Sequence, residues 1–411
     1  APIPVTVSAQ AQAYLDTGTP SPDTELEALT VEDFTFILNR KVDVELSPNS
    51  VPARPFEAML WVRQAAFARK YRIEVKHGVG LASTLVVTLE TPNGKDAEDA
   101  EDVDTDVIAT AFVGGAYPVS PTGAANGATL SGNLSTLTGS GFTVSRIGGV
   151  IYLSHPTLDF TVEASDGQGG DALVVVKDRV QSFSDLPKKA PVEGFTVRLT
   201  QQTGSDQDDF FVKWEETAGP GQGLWAETVG PGSNLGLDPE TLPVGLVYDR
   251  DAGTWSLDVL EWADREAGDE DLNPDPGFVG EGIQDITFWR GRLVLLHREG
   301  ARLSSATNPL GLYPTTLSQV LADDAFEVVN PLTRQAEFRY AVAFRTRLIL
   351  WGNEAQAQIR APDGPLTVET VAVDPYAYSS FADTVRPQGA NDRIYFAARR
   401  GLSASAIYEL E

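Results

Sequence analysis

Short apolar runs broken by polar turns recur along the whole chain, most of them alternating with a period of two, as half-buried strands do. Residues 31–40 (Val-Glu-Asp-Phe-Thr-Phe-Ile-Leu-Asn-Arg) predict a strand followed by a turn. Residues 59–62 and 71–75 read as strands around an Ala-rich segment, 64–70, that has helix propensity, so strand–connection–strand is the favoured reading. Further strands are expected at 81–89, 142–146, 150–154, 159–164 and 172–177, with a hairpin from 195–199 and 210–214. One short helix is expected, over 105–112, with carboxylates at its start where the helix dipole favours them. Residues 1–22, rich in Pro, Ser and Ala, suggest an extended lead-in. Residues 114–141, dominated by Gly, Ser, Thr, Ala and Pro, suggest a long loop.

The last third repeats itself. Residues 286–295 read Ile-Thr-Phe-Trp-Arg-Gly-Arg-Leu-Val-Leu, and residues 340–351 read Tyr-Ala-Val-Ala-Phe-Arg-Thr-Arg-Leu-Ile-Leu-Trp. A looser copy, Gly-Ala-Asn-Asp-Arg-Ile-Tyr-Phe, occupies 389–396. Each copy sets a polar turn, then an arginine (Arg292, Arg347, Arg393), then a run of strand formers. Strand repeats roughly 50 positions apart are the sequence mark of β-propeller blades. The arginines read as caps to turn carbonyls or nearby carboxylates, with inter-subunit ion pairing as the sharper alternative. Trp289, Trp351, Phe288 and Phe344 read as inter-blade packing.

Composition changes this picture in three ways. At 411 residues the chain exceeds one core, so two or three domains are expected. With 31 basic against 58 acidic residues its net charge is −27, which disfavours DNA recognition through a basic face while allowing DNA to slide past. There is no cysteine, hence no disulfide and no thiolate metal site. No apolar stretch reaches the roughly 18 residues of a membrane span. The chain starts at Ala1 and its one methionine is Met59, so it reads as a piece of a longer or trimmed product.

Chemical motifs are scarce. The three histidines, His77, His155 and His297, stand apart without zinc-hydrolase spacing. Gly219-Pro-Gly-Gln-Gly223 lacks the strand and helix that would aim amides at a phosphate. Asp102-x-Asp104-x-Asp106 begins like a calcium loop but has Val107 and Val113 where Gly and Glu belong. Residues 165–171 (Ser-Asp-Gly-Gln-Gly-Gly-Asp) read as a turn, and the pairs Asp208-Asp209 and Asp323-Asp324 point to opposite strand faces or sit in turns. No catalytic, cofactor or metal residue is assigned. The acidic run Asp96, Glu98, Asp99, Glu101, Asp102, Asp104 and Asp106 is the candidate exposed interaction loop, against the plainer reading of a solvated face.

Four segments together carry a resemblance. They are Leu29 to Arg40; Gln181-Ser-Phe-Ser-Asp-Leu-Pro187 with Ala190-Pro-Val-Glu-Gly-Phe-Thr-Val197; Leu260-Glu-Trp262 through Asn273, Phe278-Val-Gly280, Asp285 to Leu293 and Asn308-Pro-Leu-Gly-Leu-Tyr-Pro314; and Tyr340 to Trp351, Glu354-Ala-Gln-Ala, Arg386-Pro-Gln-Gly and Ile394-Tyr-Phe-Ala397. In order and spacing the chain resembles the tail nozzle proteins (tail tubular protein B family) of short-tailed podophages from about Leu29 onward. Residues 114–141 have no good counterpart. The resemblance implies a mainly β fold, a β-propeller carrying an inserted β-rich platform domain with a small α/β portion. It implies 1–40 as lead-in and first propeller strand, 41–239 as the platform, and 240–411 as blades.

By the same resemblance the protein is expected to be a non-enzymatic virion tail component without cofactors. It is expected to form a homo-hexameric tube below the tail adaptor ring. The tube would pass viral double-stranded DNA without reading its sequence, gate the channel and dock tail fibres, with host envelope contact allowed. The rival expectation is a carbohydrate-acting or receptor-binding propeller protein of the tail. A Trp- and carboxylate-lined axial pocket would favour it, since a fold alone does not fix function. A secreted solute-binding module has no motif behind it.

Overall fold

The computed structural model describes residues 5–20, 22–200, 209–251, 253–331, 336–361, 364–390, 392–400 and 404–410. The chain forms two compact units, a split one from 1–51 with 233–411 and an inserted one over 52–232. The family resemblance implied an insert at 41–239. Residues 43–50 stay with the split unit because they bridge to later parts of it, Asp43 to Gly282, Val44 to Val279, Leu46 to Leu237 and Ser50 to Asn234.

Among the described residues the split unit contains four sheets, antiparallel except for one strand added in parallel to the first. The first joins Leu26–Val31 and Phe34–Asn39 to Val244–Asp249 and Thr254–Asp258. The second is the meander Asp285–Trp289, Arg292–His297, Gly300–Leu303 and Phe326–Val329. The third is the meander Phe338–Phe344, Arg347–Gly352, Gln356–Arg360 and Ala372–Ala377, and the fourth holds Gln388–Ala390, Arg393–Arg400 and Ala404–Leu410.

Period two explains the unbroken apolar runs in these meanders. In the second sheet Leu293 and Leu295 pack with Phe36, Leu38 and Trp262, whereas Val294 and Leu296 face the third sheet's Leu348 and Leu350. Ile349 and Trp351 turn the other way, onto Ile394 and Phe396 of the fourth sheet. A strand buried on both faces needs apolar residues at every position, and these have them.

Two expectations at the start of the chain are corrected. Residues 31–40 are not one strand: Val31 pairs with Phe34 across a two-residue turn at Glu32 and Asp33. The polar Glu-Asp pair is the turn chemistry that breaks the run. The lead-in is not simply extended either. Val5–Val7 adds in parallel to Thr254–Asp258, and Ala9–Tyr14 is a helix capped by the Ser8 hydroxyl. Its strong helix formers bury Ala11 and Tyr14, three apart, and the Asn39 amide donates to the Tyr14 hydroxyl at 2.9 Å.

In the inserted unit, Phe56–Val62 and Lys70–His77 are strands with an irregular connection between them. They belong to different four-stranded sheets, and both bury side chains in one apolar core that also takes Ile108, Ala109, Ala111 and Phe112 from the helix Thr105–Phe112. A third sheet pairs Thr196–Leu199 with Phe210–Gly219, which turns through 220–221 into Gln222–Thr228. The Gly-rich segment at 219–223 is thus a hairpin turn. The Ser165–Asp171 segment is a turn too, its buried Asp166 accepting the amides of Gln168, Gly170 and Ala172 at 2.9, 2.9 and 3.0 Å.

Candidate functional site

The opening hairpin of each sheet in the split unit closes on residues three apart, through a two-residue turn in the first three. The closing pairs are Val31–Phe34, Trp289–Arg292, Phe344–Arg347 and Ala390–Arg393. The first turn residue is left-handed in the first three, with φ of 55° at Glu32, 49° at Arg290 and 54° at Arg345. Turns of this hand match the twist of the flanking strands. Aligning the hairpins on their turns puts Glu27, Asp285, Tyr340 and Arg386 at one shared position, four residues before the turn's first closing residue and within the first three residues of the strand or just ahead of it. These four side chains, one from each sheet's opening segment, meet.

Asp285 lies at the centre, fully buried. Arg386 Nη1 approaches its Oδ1 at 2.5 Å, Arg40 Nη2 stands 3.7 Å from the same oxygen, and the Ala341 amide donates to Oδ2 at 2.7 Å. Glu27 shares the same two nitrogens, its carboxylate lying 2.7 Å from Arg40 Nη2 and 3.2 Å from Arg386 Nη1. Both guanidiniums also lie over the Tyr340 ring, each 5.6 Å from its centroid. Arg40 adds donations to the carbonyls of Gln284 (2.6 Å) and Thr24 (3.3 Å). Two carboxylates and two guanidiniums leave the cluster neutral. Burial raises the Asp285 carboxyl above the usual carboxylate range, against Arg386, the Ala341 amide and Arg40, which pull it down. Burial works to lower Arg386, but Asp285 and Glu27 outweigh it, so this guanidinium stays charged.

Above the cluster opens a cavity of about 810 Å³ lined by Glu25, Lys41, Arg298, Glu337, Arg339, Asn353 and Asp383, with Glu27, Arg40, Tyr340 and Arg386 in its wall. Its charges are mixed, and no tryptophan is among its lining residues.

The three repeat arginines are not equivalent. Arg292 is buried and donates to the carbonyls of Ser304 (2.7 Å), Asp324 (2.6 Å), Ala322 (2.8 Å) and Leu366 (3.1 Å), tying down the turn after the second sheet's third strand. Arg347 is exposed, donates to Gln358 at 2.9 Å and lies over Tyr376. Arg393 is exposed and pairs with Glu409. None of the three joins the central cluster.

The acidic run also divides. Residues Ala97–Val103 form a 3₁₀ helix, in which side chains three apart eclipse, so Asp99 and Asp102 share one side. Both are fully buried. Asp102 accepts from the Val119 amide (2.6 Å), the Ser120 amide (3.3 Å) and the Ser120 hydroxyl (2.5 Å). Asp99 accepts from Thr122 (2.9 Å) and Asn126 (2.8 Å), and Asp96 also takes Asn126, at 2.7 Å. Burial acts to raise Asp99, but the hydrogen bonds of Asn126 and Thr122, with backbone amides, hold it below the usual range. The stretch expected to be a loop at 114–141 is thereby fastened, and a Cβ on Gly123 would collide with the Asp102 carboxylate. Asp104 caps the following helix by accepting the Asp106 amide at 2.7 Å, and Asp106 pairs with Arg146. Asp96, Glu98, Glu101, Asp104 and Asp106 remain exposed.

Asp208 lies outside the described residues, and its neighbour Asp209 is buried against Arg198 at 2.8 Å. Asp323 meets the Thr307 hydroxyl, and Asp324 accepts the Leu321 amide within a turn. No group of three or more His, Asp or Glu side chains suited to a metal ion occurs among the described residues.

The chain is mainly β with a charged centre whose members pair with one another, and comparison with known proteins gives its kind. The profile of the bacteriophage nozzle protein family matches residues 2–410, so the chain belongs to that family and hence to the virion tail. Tail tubular protein gp12 of Escherichia phage T7 is 29% identical over 397 residues, which cover 93% of this chain and 45% of the relative. The chain therefore spans under half the length of that curated relative.

Proposed function

We propose that this structural tail protein acts as a nozzle subunit, six copies of which ring a channel below the adaptor and conduct and gate the leaving genome. The four sheets of the split unit are read as successive propeller blades, and the inserted unit as the platform. Tail fibres and the host envelope are further contacts of the assembled ring. The exposed carboxylates of the acidic run, and Arg347 and Arg393, are candidate contact residues toward those neighbours.

The observation that carries a mechanical over a catalytic role is the state of the central carboxylates. A glycosidase needs an acid and a second carboxylate free to act across a gap of roughly 5–10 Å. Here Asp285 and Glu27 are both engaged by guanidiniums, and no tryptophan platform lines the cavity above them. The net charge of −27 suits a lumen that does not hold DNA.

Electron microscopy of tails taken from virions, classified for rotational symmetry, tests the reading. Six-fold density for this chain around an axial channel is the expected result. A single copy, or a ring of another order, would overturn it. Release of reducing sugar from host envelope glycan by the purified protein would move the assignment to the carbohydrate-acting alternative.

A further inference from the structure

Among the described residues, one strand edge of the inserted unit is only partly paired within that unit. The strand Ser83–Glu90 pairs along its whole length with Lys70–His77, but on its other side Thr129–Ser131 covers only Thr88 to Glu90. Gly132 still lies against the Val86 carbonyl, so among the described residues it is the Ser83–Leu85 stretch whose second backbone edge has no strand partner, and such edges template strand addition.

The tip joining the two strands is apolar and outward. Val79 is 82% exposed, Leu81 40% and Val86, next to the open stretch, 39%. Gly78, Gly80 and Leu81 all hold positive φ, 85°, 65° and 56°, so a non-glycine residue is kept in the left-handed region to present this tip. No charged residue occurs from Gly78 to Leu89 or from Val107 to Ser145, and the two strands at the edge carry a single charge, Glu90, at the end away from the tip. On the adjoining strand Arg72, Glu74 and Lys76 are engaged with one another.

Charge selects the occupant. Two copies of a chain carrying −27 repel over most of their surfaces, and a neutral edge is where they can approach. A basic partner, or one seeking ion pairs, would be drawn to the acidic faces instead. We propose that the Val79–Leu81 tip, the open Ser83–Leu85 edge and the exposed Val86 side chain beside it form a contact surface for a second copy of this chain. This rests on the ring reading above and adds to it the surface through which neighbouring copies touch.

The test uses the full-length protein in assembled tails. A benzophenone amino acid at Val79, activated by light, is expected to give a covalent product of twice the chain mass. The double variant Val79→Asp, Val86→Asp, both at exposed positions, is expected to weaken self-association at least tenfold with an unchanged circular dichroism spectrum. Cross-linking solely to a different tail protein, or self-association unchanged in the variant, would overturn the proposal. In either case intact wild-type rings would leave the ring reading standing, whereas a wild-type protein that forms no ring would overturn both.

Discussion

Asp285 and Asp102 are equally inaccessible to water, yet the two units satisfy them by opposite means. Asp285 is held by charge, with two guanidiniums and one amide drawn from other sheets, Arg386 being 101 positions away. Asp102 is held by neutral donors, two amides and a hydroxyl, from a segment only 17 and 18 positions on. The ionic solution joins elements that have no covalent reason to be adjacent. The neutral one orders a local excursion whose own Gly, Ser and Ala residues offer little to bury. A buried ion cluster is a poor source of net stability, but once present it is sensitive to loss of any member. A carboxylate in a cradle of neutral donors places less at risk.

Several substitutions would break or sharpen that contrast. Asp285→Ala removes the buried carboxylate of the cluster and leaves Glu27 alone against Arg40 and Arg386, so a loss of roughly 3–5 kcal/mol is expected in denaturant unfolding of the split unit. Hydrogen exchange at Asp285–Trp289 and Phe338–Phe344 should report it locally; unchanged protection there would mean the cluster is not what joins the sheets. Arg292→Ala strips the donors from buried carbonyls, each worth about 1–3 kcal/mol when left unsatisfied. Its effect should appear around 321–324 and not at the central cluster. Asp102→Ala should destabilise by about 1–3 kcal/mol and speed exchange across 117–128 while leaving the split unit untouched. Arg347→Ala, at an exposed position, should change stability by less than about 1 kcal/mol.

Acid should separate the two regions by sign. The Asp99 and Asp166 carboxyls are held below their unfolded value of 3.8, so the unfolded chain binds more protons. Their contribution is complete above that value and is lost as pH falls through the folded one. Asp285 is raised, so its proton uptake favours the folded form below 3.8 and that contribution disappears as pH rises through its folded value. Exchange at 117–128 should therefore accelerate below about pH 4, and Asp99→Asn should flatten the dependence. A pH profile identical in wild type and variant would remove Asp99 as the cause.

Sequence made the sheets legible and hid the cluster. Runs such as Arg347-Leu-Ile-Leu-Trp351 announce strands buried on both faces, and the repeated turns mark the hairpins. Glu27, Asp285, Tyr340 and Arg386 differ in chemistry, so no motif connects them; only alignment on the turns reveals their shared position. The first copy was missed because the 52–232 insertion separates it from the rest and its turn is Glu-Asp, not an arginine turn. The acids at 96, 99 and 102 carried a readable signal, a period of three, which a run of like charge obscured.

The tight turns have a kinetic corollary. A hairpin closed by two residues forms in about 1–10 μs and needs nothing from the rest of the chain. The contact of Arg40 with Gln284 spans 244 positions, and the whole inserted unit is made and folded in between. Contacts of such sequence separation slow a folding reaction. The opening hairpins should thus be early and autonomous, with the joining of their charged residues the late, rate-setting event.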